Sequence, residues 1–360
     1  MYVVAHNGSA ILGGGEIGTA LLLAGLRGRG HRVKMLCRDA GMAERVARYG
    51  IPTGVAHVGG GAMLPDALRF AAALRRERPD ALVLTTFKKV FLAGMGARLA
   101  GVPRVVQRIV LSSDVPRSAA YRLALRRWVD VVTLNAGVMR PAFLAGDPEL
   151  DPTRVRTVYD GVRVPERTLE PGAVRRSLGL PAGTRTVGAV ARLAKQKRLE
   201  RLLRAAALLP DDVHCVLAGE GEERPALERL AAELGIAGRV RFLGFRADVG
   251  DVLDALDVHV VCSDREGMAN AMLEAMAAGV PVVSTPVSGA EEALEPLPDG
   301  RRPGLVAGPE PGEIAAAVSG ILADPARRAE MASAARERVE ERFSYEGFLD
   351  RWERLLAERP

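Results

Sequence analysis

The stretch "SDREGMANAMLEAMAAGVPVVSTPVSGAEEAL" runs from Ser263 to Leu294. Its first two glutamates, Glu266 and Glu274, stand eight positions apart. The apolar run "VHVVCS" just before it reads as a buried strand, so Glu266 falls at a strand's end, beside Gly267. "NAMLEAMAAG" reads as a helix stopped by glycine and carries Glu274. Gly267, Met268, Ala269 and Asn270 then form the strand-to-helix turn. Such a turn leaves backbone N–H groups without helical partners. Those donors suit a diphosphate or the hydroxyls of a sugar. A carboxylate accepts from sugar hydroxyls, and Glu274 could take two from a ribose. On spacing alone, either acid could equally cap a helix or stand in water.

Two other stretches carry the same kind of signal. "VARLAKQKRLERLLRAAALL" places Arg192 and Lys197 after a strand and before a helix. A guanidinium and an ammonium there make a phosphate clamp, or else a solvated basic turn. "LAGEGEER" puts Glu220 between Gly219 and Gly221 in a turn at another strand's end. All these residues lie at carboxyl ends of strands, where open α/β sheets bind ligands.

Outward from this region the chain alternates strand and helix. "RTVGAVARL", "DVHCVLAGEG", "GRVRFLG" and "VPVVST" read as further strands of the second half. "YVVA", "HRVKMLC", "DALVLTT", "PRVVQRIV" and "VVTLN" do so in the first. Near-continuous apolar strands alternating with helices predict parallel sheets covered on both faces. The prolines and charges of "RTVYDGVRVPERTLEPGAVRR" interrupt the alternation and place a linker at about residues 160–175. A length of 360 residues fits two domains. The expected fold class is α/β, with two Rossmann-like domains facing each other across a cleft.

Bulk composition narrows the function classes. Apolar residues are 48% and aromatics 4%, so Leu, Val and Ala fill the cores. No run of eighteen uncharged apolar residues occurs, and "MYVVAHNGSA" has no signal-peptide pattern. A cytoplasmic protein is expected. Cys37, Cys215 and Cys262 are scattered in apolar settings and read as buried thiols. No Cys/His cluster has metal-ligand spacing. Charge is uneven. Up to Arg163 there are 24 Lys and Arg against 12 Asp and Glu, and from Val164 onward 26 against 32. A basic first half favours an anionic surface: phosphates, an acidic glycan or a membrane leaflet. No nucleic-acid partner is implied. On "RSAAYRLALRRWVD", Tyr121, Leu125 and Trp128 share a helix face beside arginines, which suits an anionic membrane surface or a core face.

A second glycine pattern opens the chain. Gly13, Gly15 and Gly18 spell G-x-G-x-x-G, and an acid, Asp39, follows 21 residues after Gly18. This is close to the dinucleotide-binding fingerprint and would suit an NAD(P)-dependent oxidoreductase. With the first strand ending at Ala5, though, His6 to Gly13 make a longer loop than that fingerprint allows. A glycine run before a helix can also hold an anion or be a surface loop.

Taken together, these motifs resemble the retaining glycosyltransferases of the GT-B fold, glycosyltransferase family 4. The likeness covers most of the chain and is strongest from about Thr186 to Leu294. "GGGE" followed by "LRGRGHRV" is similar to the family's opening loop, helix and second strand. "VYDGV" is similar to its inter-domain "Y-N-G-V" element, with Asp160 where Asn is usual. The resemblance implies residues 164–344 as the donor-binding domain, and 1–163 with 345–360 as the acceptor-binding domain. Arg192 and Lys197 would neutralise the leaving diphosphate, and Glu266 would contact the donor sugar near the reacting carbon. Glu274 would hold the ribose. Gly219, Glu220, Gly267, Met268, Ala269 and Asn270 would complete the donor site, with Gly14 and Gly15 closing over the diphosphate from the other domain.

The implied donor is a nucleoside-diphosphate-sugar, UDP-sugar before GDP-mannose. The implied acceptor is a glycan or lipid-linked sugar of cell-envelope polysaccharide or lipopolysaccharide synthesis. No cofactor or metal is required by this resemblance. One departure stands out. Many relatives have a histidine near the end of the strand that here reads "PRVVQRIVLSSD", whereas this chain has Gln107, Arg108, Ser112, Ser113 and Asp114 there. Arg108 and Asp114 become the acceptor-side candidates, although Asp114 could instead cap the next helix. The departure also leaves room for a non-catalytic nucleotide-sugar-binding relative.

Overall fold

The computed structural model describes residues 1–10, 12–59, 63–170 and 172–358. Ile11 of the opening loop, Pro171 of the expected linker, and Arg359 and Pro360 of the tail lie outside them. Two compact units are present: Met1–Asp160 with Glu346–Pro360, and Gly161–Tyr345.

The first unit contains β1 (Tyr2–Asn7), α1 (Gly14–Gly28), β2 (Arg32–Cys37), α2 (Ala40–Ala47), β3 (Thr53–Val55), α3 (Met63–Glu77) and β4 (Ala81–Leu84). It continues with α4 (Val90–Leu99), β5 (Arg104–Ile109), α5 (Ala119–Trp128), β6 (Val131–Leu134), α6 (Met139–Gly146) and β7 (Val155–Thr157). All pairs are parallel, in the order β3-β2-β1-β4-β5-β6-β7. The order reverses between β1 and β4, the place where open α/β sheets leave a crevice.

The first strand is longer than its apolar residues suggest. His6 and Asn7 continue it, opposite Leu36 and Cys37. Both are buried: the His6 ring bonds the Ala56 carbonyl at 3.1 Å, and Asn7 Oδ1 accepts from the Ser9 amide at 2.9 Å, while Asn7 Nδ2 has no hydrogen-bond partner among the described residues. Only Gly8 to Gly13 then separate β1 from α1, two residues fewer than the sequence reading. Helix α4 escapes that reading too, because Gly94 and Gly96 lower its helix propensity. They are there for close packing. A Cβ at Gly96 would lie 2.9 Å from the Ala67 carbonyl oxygen, and one at Gly94 would lie 3.1 Å from Trp128 Cβ.

The second unit holds α7 (Ala173–Ser177), β8 (Arg185–Val190), α8 (Leu199–Ala207), β9 (Val213–Ala218), α9 (Arg224–Glu233), β10 (Val240–Gly244), α10 (Val249–Asp254) and β11 (Val258–Val261). Then come α11 (Asn270–Ala278), β12 (Val282–Ser284), α12 (Ser288–Ala293), β13 (Gly304–Val306), α13 (Pro311–Leu322) and α14 (Pro325–Arg338). Its sheet is also parallel, ordered β10-β9-β8-β11-β12-β13, and reverses between β8 and β11. Helix α8 buries Leu199, Leu202, Leu203 and Ala206, the i, i+3, i+4, i+7 face, against Val187, Val260, Ile314 and Val318. Each such leucine contributes about 1.5–3 kcal/mol on burial. This core holds rigid the strand ends from which the functional loops leave.

The last helix, α15 (Tyr345–Ala357), belongs to the first unit from Glu346 onward. Arg29 fixes it by pairing with Glu346, Asp350 and Glu353, and His31 meets Glu353 at 2.7 Å.

Candidate functional site

In the second unit three loops meet at the carboxyl ends of β8, β9 and β11. The loop after β8 contains Arg192 and closes in a 3-10 turn, Lys195–Lys197. Arg198 follows at φ +52°, a conformation uncommon for a residue with a side chain. Its ion pairs with Glu200 (3.0 Å) and Asp264 (3.4 Å) hold it there. The turn is tied to the loop after β11: the Asp264 amide donates to the Gln196 carbonyl at 3.1 Å, and Gln196 Nε2 donates to the Arg265 carbonyl at 2.7 Å. So fixed, the Lys197 ammonium pairs directly with Glu266. Strand β11 ends at Val261, so Glu266 stands in the loop, not on the strand. It is buried, at 8% exposure, while Arg192 is exposed and has no ion pair among the described residues.

The glycine turn after β9 makes room for this loop. A Cβ on Gly219 would fall 1.9 Å from the Ala191 carbonyl oxygen, and one on Gly221 would fall 2.1 Å from that of Leu193. Only glycine lets the two backbones run side by side, where the Leu193 amide donates to the Glu220 carbonyl at 2.8 Å. The Glu220 side chain is exposed. The turn also reaches β10, the Gly219 amide donating to the Gly244 carbonyl at 2.7 Å. Phe245 follows and is 74% exposed. The sequence reading passed over it, although an aromatic at a strand's end in a chain so poor in aromatics was a usable signal.

Helix α11 begins at Asn270 with no side-chain cap, so its first amides join those of the Gly267–Ala269 turn as available donors. Gly267, Met268 and Ala269 are buried, and α12 packs close: a Cβ at Gly289 would lie 2.5 Å from the Gly267 carbonyl oxygen. One turn along α11 stands Glu274, half-buried, with no hydrogen bond or ion pair among the described residues. Burial raises its carboxyl above the ordinary range. His259, on β11, is not part of this set. Burial and then the Lys197 charge push its pKa down to about 4, and its neutral ring accepts the Val190 amide proton at 3.2 Å.

In the first unit the glycine loop opens α1 without a side-chain cap, and Glu16 reaches back to accept the Gly13 amide at 3.0 Å. Gly14 is exposed. A Cβ at Gly15 would press within 2.8 Å of Val110 Cγ2. Asp39 has another task than the dinucleotide fingerprint would give it. Its Oδ1 accepts the Met42 amide at 2.9 Å and caps α2.

The acceptor-side candidates separate. Arg108 is buried, at 3% exposure, and its guanidinium is committed to the Gly15 carbonyl, Thr19 and Asp160. Its charge is spent inside the unit and is not offered to a ligand. Asp114 is half-buried and caps nothing, since Ser118 caps α5 by accepting the Tyr121 amide. Burial raises the Asp114 carboxyl, and the Lys88 charge opposes that rise. Nearby, the Tyr121 hydroxyl is buried and has no hydrogen-bond partner among the described residues, with its ring 4.0 Å from that of Phe87. The membrane face drawn on α5 does not exist as such. Tyr121 and Leu125 point into the core, and Trp128 packs on Phe91 at 4.8 Å. No described helix is long and apolar enough to cross a membrane.

Two parallel Rossmann-type sheets, each with ligand-ready loops at its strand ends, define the GT-B class. Solved structures agree: HepE of Anabaena in complex with UDP matches at TM-score 0.86 and 22% identity, over 99% of this chain and 100% of that one. The "Glycosyl transferase 4-like domain" model matches residues 13–161, and "Glycosyl transferases group 1" matches 172–338. The chain belongs to the GT-B glycosyltransferases of the family 4 type.

Curated relatives include the lipopolysaccharide core biosynthesis glycosyltransferase LpsE of Rhizobium meliloti, 37% identical over 186 residues, 52% of this chain and 54% of that protein. The D-inositol 3-phosphate glycosyltransferase of Mycolicibacterium vanbaalenii is 39% identical over 198 residues, 49% of this chain and 43% of that protein. The chain thus spans about half the length of the curated relatives it matches. The oxidoreductase alternative falls with this assignment and with the capping role of Asp39.

Proposed function

We propose that the protein transfers a sugar from a nucleoside-diphosphate-sugar to a glycan or lipid-linked acceptor, with retention of configuration and without metal. The observation that carries the reading is the loop cluster of the second unit. A free guanidinium, an ammonium paired to a buried carboxylate, uncapped helix amides and an unpartnered carboxylate converge on one sheet edge. Diphosphate departure needs positive charge and N–H donors where charge develops. Arg192, Lys197 and the Gly267–Asn270 amides supply both. Glu266, held by Lys197, lies against the donor sugar, and Glu274 takes the ribose hydroxyls. Gly219 and Glu220 complete this side.

In this reading the second unit binds the donor and the first binds the acceptor. The amides of Gly14 and Gly15 are anion donors of the first unit, and Asp114 is the carboxylate on the acceptor side. A UDP-sugar is the favoured donor and GDP-mannose the second. HepE, a solved neighbour, binds UDP and UDP-glucose in its crystal structures, and LpsE is a lipopolysaccharide core biosynthesis glycosyltransferase. We therefore place the reaction in cell-envelope polysaccharide or lipopolysaccharide assembly, in the cytoplasm.

A thermal-shift panel with UDP, GDP, ADP, NAD and NADP tests the reading, because a ligand that binds only the folded state raises the melting temperature. A rise with UDP or GDP is expected and names the base, after which release of that nucleotide from the matching sugars measures turnover. A rise with NADP alone would sink the proposal. Binding without turnover would mean a non-catalytic relative.

A further inference from the structure

The two places where this chain departs from the pattern it resembles are bonded to each other. Asp160 stands where Asn is usual, and Arg108 lies on β5, the strand near whose end relatives carry a histidine. Arg108 Nη2 meets Asp160 Oδ1 at 2.5 Å, and Asn135 Nδ2 donates to the other carboxylate oxygen at 2.9 Å. The remaining terminal nitrogen, Nη1, donates to the Gly15 carbonyl at 2.9 Å and to Thr19 Oγ1 at 3.0 Å. Thr19 Oγ1 itself donates to the Gly15 carbonyl at 2.9 Å. Both charged side chains are buried. A guanidinium in that position needs a counter-charge, which a neutral Asn at 160 would not give.

Gly13, Gly14 and Gly15 are consecutive, and three glycines in a row have the greatest backbone freedom a chain can have. Left to themselves they would not hold their amides in one direction. Glu16 already holds the Gly13 amide, and the Gly15 carbonyl is the second fixed point. It lies in the same first turn as those amides, and a buried ion pair clamps it from below. Ordering the loop before binding removes an entropic cost from the binding step.

We propose that Arg108, charge-balanced by Asp160, is a positioning residue for phosphate binding at the opening of α1. It acts through the Gly15 carbonyl on the amides that open α1. The proposal rests on reading Gly14 and Gly15 as phosphate donors.

The test uses the full chain, with UDP and UMP as probes. Asp160→Asn should weaken UDP by about ten-fold, the scale of a small misplacement of orienting groups. UMP, which lacks the second phosphate, should lose much less. Hydrogen exchange across residues 13–20 should speed up. Arg108→Gln should do the same, and the double variant should recover part of the loss, since no charge is left uncompensated. Equal losses for UDP and UMP, or a lower melting temperature with UDP affinity intact, would mean a packing role only and overturn the proposal. If the wild-type chain binds neither nucleotide, the reading of the site fails first. Unchanged exchange at 13–20 in both single variants would separately overturn the ordering role.

Discussion

The two units share one strand order and use their charges in opposite ways. In the second, Arg192 stands exposed, Lys197 is only partly covered and Glu274 has no partner among the described residues, all beyond the sheet's carboxyl edge. In the first, the guanidinium at the equivalent edge is buried and neutralised by Asp160. The charge counts gave the opposite impression, because the first part of the chain is the basic one. Total charge therefore says little about which cations stand exposed at a strand edge. What matters is which cations remain unspent after the fold has used the others.

Lys197→Ala should separate the units most sharply. It leaves Glu266 buried without its partner and removes a phosphate cation, so turnover should fall by about 10²–10³-fold. Steady-state release of the nucleoside diphosphate checks this. A loss confined to acceptor KM would break the assignment of donor chemistry to the second unit. Gly219→Ala comes next. Its Cβ has no space beside Ala191, so the loss should be about 3 kcal/mol, read by denaturant unfolding. The loop carrying Arg192 should be displaced with it.

Arg192→Ala should leave the melting temperature unchanged, since the side chain is exposed. It should still weaken UDP by about ten-fold, measured by titration calorimetry. That pairing of effects is the signature of an unspent charge.

The smallest effect concerns Glu274. Burial raises its carboxyl in the folded state, so the ionised form opposes folding. The folded state binds more protons than the unfolded one in that window, and stability falls as pH rises through the raised value. Glu274→Gln should flatten this part of the pH profile of the melting temperature. If Glu274 accepts ribose hydroxyls, UDP affinity should strengthen over the same rise in pH, and the glutamine variant should lose that trend as well.

Much of this was legible before any coordinates. The strand-and-helix alternation comes from apolar periodicity, which is local, so most strands of both sheets were found from sequence. The residues proposed for the donor side were legible as a group because they cluster at strand ends, and strand ends can be read from pattern. Helix α4 was missed because Gly94 and Gly96 look like helix breakers until their packing partners are seen. The end of β1 was missed because His6 and Asn7 are polar, and only their bonds to Ala56 and Ser9 make their burial affordable.

The sequence by itself determined the class of fold, the position of the loops at the strand ends and the chemical types they present. Those depend on local pattern and residue identity. The tertiary structure decided which charges are free. Asp39 became a helix cap, Arg108 became half of a buried ion pair, Lys197 found Glu266, and the face of α5 turned inward. Each of these outcomes, apart from the local cap, depends on contacts between residues far apart in the chain. Whether a charged group serves a ligand or the protein depends on what folding places within bonding distance of it.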